Sequence, residues 1–186
     1  MSTSRIVITG APGTGKTSVI EGLESKGFYC FHEIIRDMTA EARKEDNGLE
    51  QVSNPLVFVK DPYAFNHSLL HGRLEHFEKS QEFKRDICFF DRGIPDVLAY
   101  MDFFDQEYAQ DFVSISQENR YDAIFILPPW KEIYTSDNER LETFIESEKI
   151  HDHLFETYQR FGYEPITVPK TTVKQRVSFV LEQLNL

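Results

Sequence analysis

Short apolar runs recur along the chain at residues 5–9, 28–32, 87–91, 123–127 and 164–168. Each is rich in β-branched or aromatic side chains, and none alternates cleanly with polar positions. Continuous apolar runs of this length belong to parallel strands covered on both faces, and the intervals between them are long enough for crossover helices. The pattern predicts an α/β fold.

The intervals themselves carry helical spacing. Val19, Ile20 and Leu23 mark a first helix. Asp61 followed by Pro62 has the form of an N-cap and a first-turn proline, opening a helix to about Lys84 with Phe65, Leu69 and Phe77 along one stripe. Ile94, Val97, Leu98 and Met101, around Pro95, mark a helix leaving the third strand, and Tyr108, Phe112 and Ile115 a second short one. Leu141, Phe144, Ile145, His151, Leu154, Phe155 and Tyr158 mark another, ended by Gly162. Val173, Val177, Val180, Leu181 and Leu184 mark the last, where Thr172 and Gln175 fit a capping box. Core burial accounts for all these stripes.

Composition narrows the class. At 186 residues, 40% hydrophobic with 16 Phe and 8 Tyr, the chain has ample core material for one domain, and no linker, repeat or low-complexity run divides it. A formal charge of −11 argues against nucleic acid as the main partner, because a phosphate backbone requires a basic face. No apolar run approaches a membrane span and no secretory leader is present, so a cytoplasmic protein is expected. Cys30 and Cys88 both fall in predicted strands and read as reduced core thiols.

One stretch changes the picture. ITGAPGTGKTSV, residues 8–19, fits G-x-x-x-x-G-K-[ST] with Gly10, Gly15, Lys16 and Thr17 in the fixed places. A loop wraps a polyphosphate only if its backbone N–H groups turn inward together, which Gly10, Gly13 and Gly15 permit. Lys16 then reaches the β- and γ-phosphates, and the Thr17 hydroxyl sits on Mg²⁺. The helix beginning here adds its positive end. With Ala11, Thr14 and Ser18 these are the expected nucleotide-binding residues, and the strand–loop–helix order around them is the one the pattern requires.

In open parallel sheets ligands bind outside the carboxyl ends of the strands. The second strand ends in His32-Glu33 with Arg36 one turn on, the third in Asp91-Arg92-Gly93, the fourth in Pro128-Pro129-Trp130. Asp91, after four apolar residues, is placed to hold Mg²⁺ with Thr17, or alternatively to cap the following helix. Glu33 and Arg36 share a helix face beside the loop; the alternative is a surface ion pair. The segment PPWKEIYTSDNER makes poor core and a good cover over the site, with Arg140 first and Lys131 second as the cation it brings; the alternative is a charged helix start capped by Asp137. His67 and His71 stand four residues apart, but no further ligands complete a metal set.

Taken together, GAPGTGKT, EIIR, DRGIPDVLAY, PPWKEIYTSDNER, YQRFGYEPITVP and VKQRVSFVL resemble a family of small P-loop proteins. These are labelled predicted ATPases and placed with AAA-type domains; their relatives are ribosylnicotinamide-kinase-like and nucleoside-kinase-like. The resemblance covers nearly the whole chain. It implies a P-loop NTPase three-layer sandwich: a parallel five-stranded sheet in the order 2-3-1-4-5, with a helical lid over about residues 128–142. It also implies Mg-nucleotide at residues 10–17 and an acceptor pocket beside Glu33 and Asp91. Arg92 follows Asp91 where AAA machines carry an Asp-Glu pair, which disfavours hydrolysis by that route. In P-loop kinases of this kind an acidic group at the second strand end takes the acceptor's proton, and an acidic-Arg pair after the third contacts acceptor and phosphates. Glu33, Asp91 and Arg92 take those places.

The expectation is therefore a Mg-ATP-binding small-molecule kinase. Lys16, Glu33, Asp91, Arg92 and Arg140 are its catalytic residues and Glu33, Arg36 and Asp91 bind the acceptor, with a nucleotide-dependent ATPase switch acting on a protein partner as the alternative.

Overall fold

The computed structural model describes residues 3–35, 61–83, 85–134 and 142–186. Strands β1 (Ser4–Gly10), β2 (Tyr29–Phe31), β3 (Ile87–Asp91), β4 (Ala123–Leu127) and β5 (Ile166–Thr167) form one sheet in the order β2-β3-β1-β4-β5. Every pairing is parallel, so each crossover carries the chain back along a face of the sheet. The order is the one the family resemblance implies.

Helices α1 (Lys16–Glu24), α2 (Pro62–Glu82), α3 (Pro95–Phe103), α4 (Gln110–Glu118), α5 (Phe144–Arg160) and α6 (Val173–Gln183) supply the outer layers. The pleat sends neighbouring side chains to opposite faces. Ile6 and Ile8 of β1 join Phe89, Phe125 and Leu127 under α1 and α6, whereas Val7 joins Phe90 and Ile124 under α2, α3, α4 and α5. Cys30 and Cys88 are free and buried in separate cores, and burial pushes their thiols up to about 12 and about 11. Both faces of β1 are thus sealed, and its carboxyl end opens into the glycine loop.

Element ends depart from the sequence pattern in ways that packing explains. The edge strands β2 and β5 are shorter than their apolar runs, since each pairs on one side only. The α2 helix starts as expected, with the Asp61 side chain accepting from the Ala64 amide at 2.9 Å, but stops at Glu82 because Phe83 turns out in extended conformation. Its ring packs on Tyr29 and Phe31 at centroid distances of 4.6 and 5.6 Å. At α6 the Thr172 hydroxyl accepts from the Gln175 amide, while the Gln175 side chain accepts from the Thr172 hydroxyl instead of its amide, so the expected box is half made. A full capping box stands at α5, where Thr143 and Glu146 bond reciprocally.

The apolar stripe expected on α5 is also corrected. Ile145 is 65% exposed, and the buried face carries Ser147, Ile150, Leu154, Thr157 and Tyr158. Two of its hydroxyl-bearing members meet polar partners: Ser147 donates to the Pro12 carbonyl at 3.0 Å, and Tyr158 donates to Asp96. Ile150→Ala should therefore cost about 2–5 kcal/mol in urea unfolding, whereas Ile145→Gln should stay within about 0.5 kcal/mol of the parent. Equal losses would place the buried face wrongly.

Candidate functional site

β1 leads straight into the loop and α1 begins at Lys16. Gly13 and Gly15 adopt φ of 77° and 80°, left-handed values that side chains with a Cβ rarely take. The loop is braced from several sides. The Thr14 hydroxyl donates to the Ala11 carbonyl at 2.9 Å, Ser147 of α5 holds the Pro12 carbonyl, and Arg176 of α6 donates to the Thr14 carbonyl at 2.9 Å. Gly10, Ala11 and Thr14 are buried, Gly13, Lys16 and Thr17 half-buried, and Ser18 exposed. No side chain caps α1 and no acidic residue stands in its first turn. Its positive end therefore carries no carboxylate of its own helix.

Register brings the other residues to this place. Ile8 pairs with Asp91 across β1 and β3, and Phe31 with Phe90 across β2 and β3. Continuing the second pairing by two residues sets Glu33 opposite Arg92. Arg92 Nε approaches Glu33 Oε2 to 2.5 Å as an ion pair without hydrogen-bond alignment, and its NH1 donates to Asp96 at 3.3 Å. Its guanidinium lies 5.0 Å from the Tyr100 ring centre. Arg92 itself has φ 75°, held by its amide donating to the Ile8 carbonyl at 3.1 Å.

Two residues without an expected role complete the cluster. Arg73 of α2, 4% exposed, donates to Glu33 Oε1 at 3.1 Å and to the Gly93 carbonyl at 3.0 Å. Asp96, fully buried, accepts from the Thr9 hydroxyl at 2.5 Å, from the Gly93 amide at 3.1 Å and from Tyr158. Both carry a signal in the sequence. Arg73 falls in phase with Asn66, Leu69, Leu70, Phe77 and Ser80 on the buried side of α2. Asp96 sits inside the apolar run from Ile94 to Ala99. A charge in a buried phase requires a partner.

The electrostatics follow from this crowding. Burial alone would raise the Glu33 carboxyl, but Arg73, Arg92 and Lys16 overturn that and hold it below the usual carboxylate range. Burial, then repulsion from Arg92, lowers the Lys16 ammonium, against the pull of Asp91 and Glu33. Lys16 Nζ stands 3.8 Å from Asp91 Oδ1, an oxygen that is buried and accepts no hydrogen bond. The α3 helix has Ile94 at its N-cap and no side-chain cap, so the capping role considered for Asp91 does not arise. A shallow cleft, partly open to solvent, lies against Arg73, Asp91 and Arg92, with Phe90 and Ile34 as apolar walls.

Lys16, Glu33, Asp91 and Arg92 thus come together beside the glycine loop. Arg36, Arg140 and Asp137 lie outside the described residues, as do residues 135–141 of the expected lid. Of the lid, residues 131–133 form a turn, and Tyr134 lays its ring where a Cβ on Gly13 would stand. His67 and His71 face each other with ring nitrogens 3.3 Å apart. Among the described residues no helix is long and apolar enough to cross a membrane.

A parallel sheet in this order, with a glycine loop feeding α1 from the central strand, defines a P-loop nucleotide-binding domain. The AAA domain family matches residues 5–176, and the chain belongs to it. No curated protein sequence matches the chain. Among solved structures it is similar to NadR protein in complex with NR, with a TM-score of 0.70 and 18% identity over 99% of this chain and 52% of that one. It is similar also to deoxyadenosine kinase from M. mycoides with bound dATP, with a TM-score of 0.65 and 16% identity over 98% and 100% of the two chains. Thymidylate kinase from Ehrlichia chaffeensis gives a TM-score of 0.65 and 15% identity over 100% of each. At these identities the likeness is one of fold.

Replacing Arg73 tests the cluster. Glu33, depressed in the folded protein, contributes stability above the unfolded value of about 4.3 and loses it as pH falls through its lower folded value. In Arg73→Met burial is opposed less, so Glu33 rises toward or past its unfolded value and the stability it loses on acidification should shrink. At neutral pH the variant should lose about 3–5 kcal/mol. Urea unfolding between pH 7 and 3 measures both; an acid limb that does not shrink would mean that Arg73 does not keep Glu33 ionised.

Proposed function

We propose that the chain, acting as one domain over residues 1–186, binds Mg-ATP in the loop from Gly10 to Ser18. It then transfers the γ-phosphoryl group to a nucleoside-like or other small acceptor in the cleft beside Glu33 and Asp91. The observation that carries this reading is the meeting of Glu33, Asp91 and Arg92, from two neighbouring strand tips, with Lys16 of the loop. A triphosphate lying along the loop would present its terminal phosphorus to that meeting point. Two of the similar structures, a deoxyadenosine kinase and a thymidylate kinase, support the same class of chemistry.

Each residue has a role in this proposal. Lys16 neutralises the β- and γ-phosphates, and Thr17 and Asp91 hold Mg²⁺. The bare Oδ1 of Asp91 is a fitting oxygen donor for that ion or one of its waters. When bound, Mg²⁺ supplies charge neutralisation across the phosphates. The acceptor oxygen forms its bond to the γ-phosphorus as the bond to the bridging oxygen breaks and ADP leaves. The hydroxyl proton passes to Glu33. A carboxylate held below its usual range is a weak base, which suits a loose transition state where the proton leaves late. Arg73 and Arg92 act as positioning residues through Glu33, and Arg92 also offsets charge at the phosphorus.

Glu33→Gln should lower turnover by about 10²–10⁴-fold while leaving ATP affinity nearly intact. The assay is product formation with nucleosides, ribosylnicotinamide and nucleoside monophosphates, beside ATP titration by calorimetry. Steady ATP hydrolysis with no phosphorylated product from any of them would favour a nucleotide-dependent switch with a protein partner, the reading that membership of the AAA domain family keeps in view.

A further inference from the structure

Arg176 stands in α6 and reaches across to the glycine loop. Its NH1 donates to the Thr14 carbonyl at 2.9 Å and its Nε to the Thr171 carbonyl at 2.7 Å, while the guanidinium lies 4.9 Å from the centre of the Trp130 ring. NH1 is 3.0 Å from where a Cβ on Gly15 would stand. The residue is 4% exposed.

Its surroundings differ from those of the other buried arginines. Arg73 and Arg92 each close on a carboxylate. Arg176 pairs with no carboxylate among the described residues: two carbonyls and an indole face hold it, and burial alone lowers its pKa. An unpaired cation taken out of water is a net cost to the fold. Cation–π contact and carbonyl dipoles offset part of that cost. What remains calls for an anion, and Arg176 stands against the glycine loop at Thr14 and Gly15.

We infer that Arg176 is a polyphosphate-binding and positioning residue: its charge is the counter-ion to a triphosphate seated in the loop, and its grip on the Thr14 carbonyl keeps the loop amides turned inward. The inference rests on the proposed triphosphate site and adds a cation from the far end of the chain to it. Through Trp130 the same guanidinium ties the segment after β4 to the loop. Nucleotide affinity should therefore depend on Arg176, whereas the acceptor's KM should not.

The probe is inorganic triphosphate with Mg²⁺, which has neither base nor ribose, titrated calorimetrically into the native protein and its variants. Arg176→Gln keeps a donor without the charge and Arg176→Lys keeps the charge without the fork. The Gln variant should bind at least tenfold more weakly and the Lys variant should recover part of the loss. Ligand-free Tm of the Gln variant should equal or exceed that of the native protein, because an unpaired buried charge has gone. Triphosphate binding as tight in the Gln variant as in the native protein, or weakened only together with a lower ligand-free Tm, overturns the inference. Lys16→Met separates the two layers: if it binds as well as the native protein, or if the native protein does not bind, the phosphate site itself is misplaced and both fail. If it loses binding while Arg176→Gln retains it, only the role of Arg176 falls.

Discussion

Taking the Glu33 carboxylate out of water at the tip of β2 costs several kcal/mol unless positive charge meets it inside the protein. Arg73 meets it from α2 and Arg92 from the end of β3, so one buried charge cluster draws together three elements distant in sequence. Glu33 lies two residues beyond the last paired residue of β2, where the ladder no longer sets spacing. The ion pairs set it instead. Asp96 repeats the device one step inward, joining the Thr9 hydroxyl at the end of β1, the Gly93 amide and Tyr158 of α5. The left-handed backbone at Arg92 persists because both its amide and its guanidinium are held.

The two flanks of the glycine loop are electrically different. On the side of β2 and β3, Lys16, Arg73 and Arg92 face Glu33, Asp91 and Asp96, cations and anions in equal number, and such a cluster can be buried with nothing bound. Its loosest pair is Lys16 with Asp91 at 3.8 Å. On the side of α6, Arg176 has carbonyls and an indole for partners and no carboxylate among the described residues. A chain with a net charge of −11 therefore keeps a local excess of positive charge against its glycine loop.

What could be read without the fold was whatever depends on near neighbours. The spacing of Gly10, Gly15, Lys16 and Thr17 specifies a backbone path, and apolar runs flanked by caps specify strands and helices to within a few residues. For Arg73 and Asp96 periodicity reports that the position is buried, not what it faces. Spacing puts Ile145 in the core stripe of α5, yet it is 65% exposed, since hydrophobicity at the first turn of a helix does not tell which side turns inward. The capping box at Thr143 and Glu146 passed unseen for a simpler reason: an apolar Leu141 drew the expected start too early.

The order of residues thus determined the phosphate loop, the alternation of strands and helices and the acidic character of two strand ends, because each rests on φ/ψ preferences and side-chain periods acting over a few residues. Only the tertiary structure decided that Glu33 takes Arg73 and Arg92 as partners, that Asp96 binds Thr9 and Tyr158, and that Arg176 comes to rest on Thr14. Those choices depend on strand register and helix packing across 40 to 162 positions of separation. A buried charge is satisfied by whatever the completed sheet brings within 3 to 4 Å, which is a property of the assembled layers.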